Sequence, residues 1–171
     1  MKKLIVLAVI LFSSASIVLA QNQPRFKFSV GPEVGFAVGS FADSHSIGVG
    51  GTAQAEISLQ EHLYGTITGG IISYNGKSYG SGLKHAGQTV VPIRLGAKYF
   101  LSGGIYGALQ MGVGILNKLN NEGGTAFAYS PQIGYEFKSK TDKKIDATFK
   151  YDGYSKNGTI GAIGFRLAYI F

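Results

Sequence analysis

From Phe26 onward the chain alternates with a period of two. The even positions Phe26, Phe28, Val30, Pro32, Val34, Phe36 and Val38 are apolar, and the odd ones between them, Lys27, Ser29, Gly31, Glu33, Gly35 and Ala37, are small, polar or charged. Successive side chains of an extended chain point to opposite faces, so this run predicts a long strand with one apolar face. The same code returns seven more times, each time after a turn signal. Ile47, Val49, Gly51, Ala53, Ala55, Ile57 and Leu59 oppose Gly48, Gly50, Thr52, Gln54, Glu56 and Ser58, and Leu63, Ile67 and Ile71 oppose Tyr64, Thr66, Thr68 and Gly70. Further runs follow at 91–99, 105–115, 127–137, 145–152 and 162–171, the last with Ile163, Phe165, Leu167, Tyr169 and Phe171 on its apolar side. The far end of the third run breaks the code, because Ile72 falls among the polar positions.

Runs of about nine to fourteen residues are longer than ordinary soluble strands, which stop near five or six, and match what a tilted strand needs to cross a bilayer core. The prediction is an all-β fold, an eight-stranded antiparallel up-and-down transmembrane β-barrel with its apolar face toward lipid. Connections at 60–62, 101–103 and 138–144 are short or simple, whereas those at 39–46, 74–88, 117–124 and 152–158 are mostly longer and rich in Gly, Ser and Asn. Short turns belong to the periplasmic side and long loops to the outside, and an even strand count then leaves both termini in the periplasm. Aromatic rings favour the two bilayer interfaces. Phe26, Phe28, Tyr99, Tyr135, Phe137, Tyr169 and Phe171 are expected in a periplasmic girdle, and Phe36, Phe127, Tyr129, Phe149 and Tyr151 in an outer one. Proline cannot donate to a ladder, so local bulges are expected at Pro32, Pro92 and Pro131. The competing fold is a soluble lipocalin-like barrel, which would turn the apolar faces inward.

Residues 1–20 read as a cleavable signal peptide, with a basic start at Lys2 and Lys3, an apolar stretch at 4–12 and a small-residue site at Val18-Leu19-Ala20. The domain plan is thus a signal peptide over 1–20 and a barrel domain over 21–171. Composition agrees with densely packed strands: 26 glycines, 4 prolines and no cysteine in 171 residues. With no disulfide to be made after export, backbone hydrogen bonds in a closed sheet must hold the fold. The formal charge of +7 falls to +5 when Lys2 and Lys3 leave, and the remaining bases are dispersed. That dispersion argues against a nucleic-acid groove and fits a membrane surface rich in phosphate.

The polar faces carry the candidate chemistry. Eight strands enclose a space just wide enough for side chains, and Glu33, Glu56, Arg94, Lys98, Lys150 and Arg166 all point into it. Charges in so narrow a lumen must pair or hold water, so an internal ion-pair network is expected, centred on Glu33, Glu56, Arg94 and Arg166. Inward glycines such as Gly48, Gly50, Gly96, Gly112, Gly114 and Gly164 leave room for Tyr64, Tyr106 and the arginines to lie across the lumen. His45, His62 and His85 are scattered over both ends, no cofactor is implied, and only the Ser44-His45-Ser46 segment hints at an enzyme. That hint would correspond to lipid A modification. The expected function is non-enzymatic, in envelope integrity or surface contact through the outer loops. A transporter of small solutes or hydrophobic compounds is the alternative.

The last strand, Ile163-Gly-Phe165-Arg-Leu167-Ala-Tyr169-Ile-Phe171, resembles the C-terminal signature of bacterial outer-membrane barrels. By that resemblance Tyr169 and Phe171 belong to the signal read by the barrel-assembly machinery. The chain from 24 to 171 is similar to the small outer-membrane β-barrel domain family of the OmpA and OmpX type, with Val91-Pro92-Ile93 and Ser102-Gly103-Gly104-Ile105-Tyr106-Gly107 as the matching central segments. The resemblance implies a Gram-negative outer membrane, with lipid and lipopolysaccharide as neighbours, no nucleic acid, and an extracellular partner it does not identify.

Overall fold

The computed structural model describes residues 26–78, 85–118, 123–138, 144–156 and 158–171. The expected signal peptide and the middle of the longest loop, 79–84, lie outside the described residues. Eight strands appear in chain order: β1 Phe26–Val38, β2 His45–Ser58, β3 Leu63–Gly76, β4 Gln88–Ser102, β5 Ile105–Lys118, β6 Gly124–Lys138, β7 Lys144–Ser155 and β8 Thr159–Ile170. Each pairs antiparallel with the next and β8 pairs with β1, so the sheet closes as an up-and-down barrel.

The registers determine how the barrel is wound. Stepping across paired residues from Phe28 leads through Ala55, Ile67, Leu95, Met111, Tyr129, Gly153 and Gly161 to Val38, ten residues further along the strand where the path began. A closed eight-stranded sheet with that displacement must tilt its strands by roughly 40°, and its interior is filled by side chains. The alternation sorts the two faces. Leu95 is 63% and Phe165 47% exposed on the exterior, while Arg94, its neighbour along the chain from Leu95, is wholly buried in the lumen. The lipocalin-like arrangement, with apolar faces inward, is therefore not the one found.

The three strand prolines behave differently from expectation. No register shift occurs at Pro32, Pro92 or Pro131, each of which sits opposite Gly51, Gly114 or Leu109 in an unbroken ladder. On the other side of each proline the ladder skips two rows and resumes in the same register, between Val30 and Glu33 on β1, Val90 and Ile93 on β4, and Tyr129 and Gln132 on β6. The missing N–H costs a local pairing without adding a residue, because the other neighbour holds the strand in line. Register shifts appear instead beside turns, at His45/Gly48 and Phe100/Ser102.

Two stretches read as loop prove to be ordered parts of the barrel's mouth. Gly39, at φ 61°, turns the chain out of β1 into a five-residue helix, α1 (Ser40–Ser44), whose Phe41 is buried. Tyr154 lies in a strand rather than a loop, and it and Tyr74, where the third run was expected to end, point into the lumen, with Ile72, the residue that broke the alternation, beside them. The aromatic belts also need one correction: Phe149 pairs with Ile133 and Phe165 in mid-strand and is not part of an outer girdle. The strong tilt separates position along a strand from height in the barrel. Tyr129 and Tyr151, by contrast, pack on each other at 6.0 Å and cover Gly153 and Gly161 on the exterior.

Glycines in the lumen make space for particular rings. A Cβ on Gly48 would stand 2.6 Å from the Tyr74 ring, and one on Gly114 would stand 2.5 Å from Tyr154. Replacing Gly48 with valine should therefore force Tyr74 from its place and destabilise the barrel by about 1–3 kcal/mol, as overpacking of a filled interior does. A denaturant-unfolding midpoint unchanged from the parent protein would show that the ring has no such dependence.

Candidate functional site: the lumen and its mouths

The lumen is layered. At the turn end Tyr64, Phe100 and Tyr106 form an aromatic cluster, with ring centroids 5.3 and 5.6 Å apart from Phe100, and the Lys27 ammonium lies 4.6 Å from the Tyr64 ring. Above it comes an ionic layer built around Lys98. The Lys98 ammonium donates to Glu136 Oε1 at 2.7 Å, Glu56 Oε1 at 2.9 Å and Asp146 Oδ2 at 3.1 Å, and sits 3.9 Å from the centre of the Tyr106 ring. Lys27 donates to the second oxygen of Glu136 at 2.9 Å, and Arg166 Nη1 approaches Asp146 at 3.6 Å. Three carboxylates share one buried ammonium, so Lys27 and Arg166 are needed to balance them.

The next layer is neutral. Gln110 Nε2 donates to Gln54 Oε1 at 3.0 Å and to Thr68 Oγ1 at 2.9 Å, and the Thr68 hydroxyl donates to Gln54 Oε1 at 2.9 Å. Gln54 Nε2 in turn donates to Glu56 Oε1 at 2.7 Å, joining this layer to the one below. Higher still is a second ionic layer. Arg94 is paired with Asp152, Lys150 lies 2.7 Å from Glu33 and 3.3 Å from Asp152, and Thr52 donates to Glu33 Oε2 at 3.2 Å. Arg166 ties the layers together, donating through Nε to Thr52 Oγ1 at 2.7 Å and through Nη2 to Ser29 Oγ at 2.9 Å.

The loop end is closed by an apolar stopper of Phe41, Ile72, Tyr74, Val90, Ala126, Ala128, Tyr154 and Ala162. Phe41 of α1 meets the Tyr74 ring edge-on at 5.1 Å. The lid is fastened from above: the Lys77 N–H donates to Ser44 O at 2.9 Å, and His45 stacks on Phe41 at 4.5 Å. His45 Nδ1 is 2.8 Å from the Ser44 hydroxyl and Nε2 is 3.2 Å from Ala86 O. His85 lies 6.4 Å from His45 across this mouth, while His62 packs on Tyr99 at the opposite end.

All six charged residues expected in the lumen are buried there: Glu33, Glu56, Arg94, Lys98, Lys150 and Arg166. They form an ion-pair network, though not one centred on Glu33, Glu56, Arg94 and Arg166. Glu56 joins Lys98 and Glu33 joins Lys150, while Arg94 goes to Asp152 and Arg166 to Asp146. Glu136, Asp146 and Asp152 complete the set although they were not singled out; they share the parity of the polar face, which was the available signal. Among the described residues the lumen thus holds five acids, with Glu33, Glu56, Glu136, Asp146 and Asp152, and five bases, with Lys27, Arg94, Lys98, Lys150 and Arg166. Those ten side chains are together formally neutral. Outside the lumen, Tyr169 and Phe171 stack edge-on at 4.8 Å, and the Phe171 N–H donates to Phe28 O at 2.8 Å, extending the β8–β1 seam to the last residue.

Breaking a buried pair on one side leaves an uncompensated charge, which costs about 3–5 kcal/mol, whereas replacing both partners by apolar groups costs far less. Arg94→Met should lower unfolding stability by that amount, and adding Asp152→Leu should recover most of it. A double variant as unstable as the sum of two single ones would show that the two side chains do not act as a pair.

No protein-family model matches the chain, and no curated protein sequence does either. Solved structures do match in shape. Neisserial surface protein A superposes with a TM-score of 0.60 at 14% identity, covering 85% of this chain and 94% of that one. Ail, the attachment invasion locus protein of Yersinia pestis, in a complex with the heparin analogue sucrose octasulfate, gives 0.54 at 12% identity, covering 86% and 99%. The outer-membrane protein AlkL in lipid bilayers gives 0.50 at 14% identity, covering 88% and 91%. At such identities the likeness concerns the fold. In architecture the chain is an eight-stranded antiparallel barrel of the kind found in small outer-membrane proteins.

Proposed function

We propose that this protein is a non-enzymatic integral protein of the bacterial outer membrane, exported by a signal peptide over 1–20, with both termini in the periplasm. Its barrel serves as a sealed anchor, and its outer loops act in envelope integrity or surface contact. The observation that carries this reading is the inversion of the barrel: large apolar side chains cover the exterior, while ten charged groups neutralise one another inside beneath an apolar stopper. Hydrocarbon is the solvent that such an exterior fits, and the closed ladder leaves no strand edge to be satisfied there. The neighbours of like fold are outer-membrane barrels, which supports the same location.

Sealing argues for an anchor over a conduit. Each of the lumen's layers bridges from wall to wall, so a solute would have to break several ion pairs in sequence. The Ser44 and His45 pair, the one arrangement suggestive of catalysis, has a structural use, since His45 is buried between Phe41 and the Ala86 carbonyl and holds the lid to the segment that leads into β4. The partners that follow are outer-membrane lipid and lipopolysaccharide along the exterior, the barrel-assembly machinery at Tyr169 and Phe171, and an extracellular partner at the loops.

In a planar bilayer the purified protein should show no conductance steps, and regular steps would favour the transporter reading. Protease added to intact cells should cut within 79–84, whereas protection there until the envelope is opened would reverse the topology. Removing Phe171 should lower the folded protein recovered in the outer-membrane fraction several-fold while leaving refolding into detergent intact. Equal recovery would deprive the terminal residue of its assembly role.

A further inference from the structure

Seven of the eight seams in the wall join strands that follow one another in the chain, so a turn or loop ties each of those pairs covalently. The eighth, between β1 and β8, has no such tie: it pairs Ser29 with Ile170 at one end and Val38 with Gly161 at the other. It is also the least paired, with eight rows against ten or more in every other seam. Two of the rows it lacks lie inside it, at Gly31 and Pro32, between Val30 and Glu33. Pro32 has no N–H to give there and Gly31 has no side chain to pack. The backbones nevertheless stay close, since a Cβ on Gly31 would overlap the Leu167 carbonyl oxygen. The other interrupted ladders, β3–β4 and β6–β7, are both backed by a chain connection.

One side chain spans the gap. Arg166 of β8 stands opposite Glu33, the first β1 residue above the missing rows. Its guanidinium reaches back past them: Nη2 donates to Ser29 Oγ at 2.9 Å and lies 3.4 Å from Ser29 O, below the gap. Nε donates to Thr52 Oγ1 at 2.7 Å, and Thr52 is the β2 partner of Gly31. Arg166, Ser29 and Thr52 are all buried. The approach of Arg166 to Asp146 of β7 is longer, at 3.6 Å, so the short bonds of this guanidinium are the ones made across the seam. Lys150 of β7 meets Glu33 above the gap, and Phe171 donates its N–H to Phe28 O below it.

We propose that the β1–β8 seam is the line along which this barrel opens, at Gly31 and Pro32, and that Arg166 is its latch. Hydrogen bonds made on both sides of a gap resist the parting of the strands as the missing ladder bonds would. Geometry rather than charge fits Arg166 for this. A lysine would keep the balance with Asp146, but it has no planar fork with which to serve Ser29 and Thr52 together. With the latch undone the lumen is reached sideways through the wall, while the stopper at the loop end stays in place.

Opening is read as amide hydrogen exchange, strand by strand, in the chain over residues 21–171 held in detergent micelles. Amides bonded across β1–β8 are expected to exchange faster than those across β4–β5, the seam with the most rows. Arg166→Met, which removes the bonds to Ser29 and Thr52, should speed the seam amides about tenfold further and leave β4–β5 within about twofold. Arg166→Lys should speed the seam as well, although it keeps the charge. A disulfide made by Val30→Cys with Tyr169→Cys, a paired row beside the gap, should return the seam of either variant to the parent's exchange. Equal acceleration in all strands, parental exchange in Arg166→Lys, or no rescue by the disulfide would each overturn the proposal. If Arg166→Met does not fold, Arg166→Lys with and without the disulfide decides the same question.

Discussion

Eight strands wound with a displacement of ten residues enclose a space that only side chains can fill, and everything in this molecule answers to that confinement. Inside it each charged group must find its counter-charge among other inward residues. The five acids and five bases of the lumen are therefore not independent pairs but a neutral set, divided into two ionic layers with amides and hydroxyls between. Lys98 shows how tightly the set is bound, because one ammonium serves carboxylates from β2, β6 and β7 at once. Any one of them would be costly if left alone.

Confinement also explains the residue choices around the charges. Long side chains crossing a narrow lumen need the facing wall to recede, and it does so at glycine: Tyr74 over Gly48, Tyr154 over Gly114, Lys150 beside Gly164. The prolines obey the same economy of space. Each interrupts one ladder and leaves the other intact, so the winding of the barrel is kept while two rows of pairing are lost. The two ends are finished differently. The turn end closes with rings and Lys27, and the loop end with a helix that carries Phe41 into an apolar layer.

This difference between the ends bears on function. On the proposed reading the stoppered lumen passes no solute, and the surface at the loop end is where contact with other molecules is to be sought. There the lid, His45 and His85 lie within one mouth. On that reading the barrel presents its contacts on a small rim carried by a rigid wall.

Alternation alone determined the eight strands, the antiparallel meander and the division of residues between lumen and exterior, because a period of two assigns a face to each side chain before any partner is known. It put Glu33 and Arg94 inside and Leu95 and Phe165 outside, and the parity of Glu136, Asp146 and Asp152 was already legible. What it could not supply was height. Which acid meets which base depends on the tilt, and the tilt follows from the displacement on closure, a property of eight registers taken together. Arg94 met Asp152, 58 residues away, for that reason, and Phe149 fell in mid-wall. The lid, too, was decided in three dimensions: Phe41 reads as a lone apolar residue in a loop until the stopper of Tyr74 and Tyr154 gives it something to bury against.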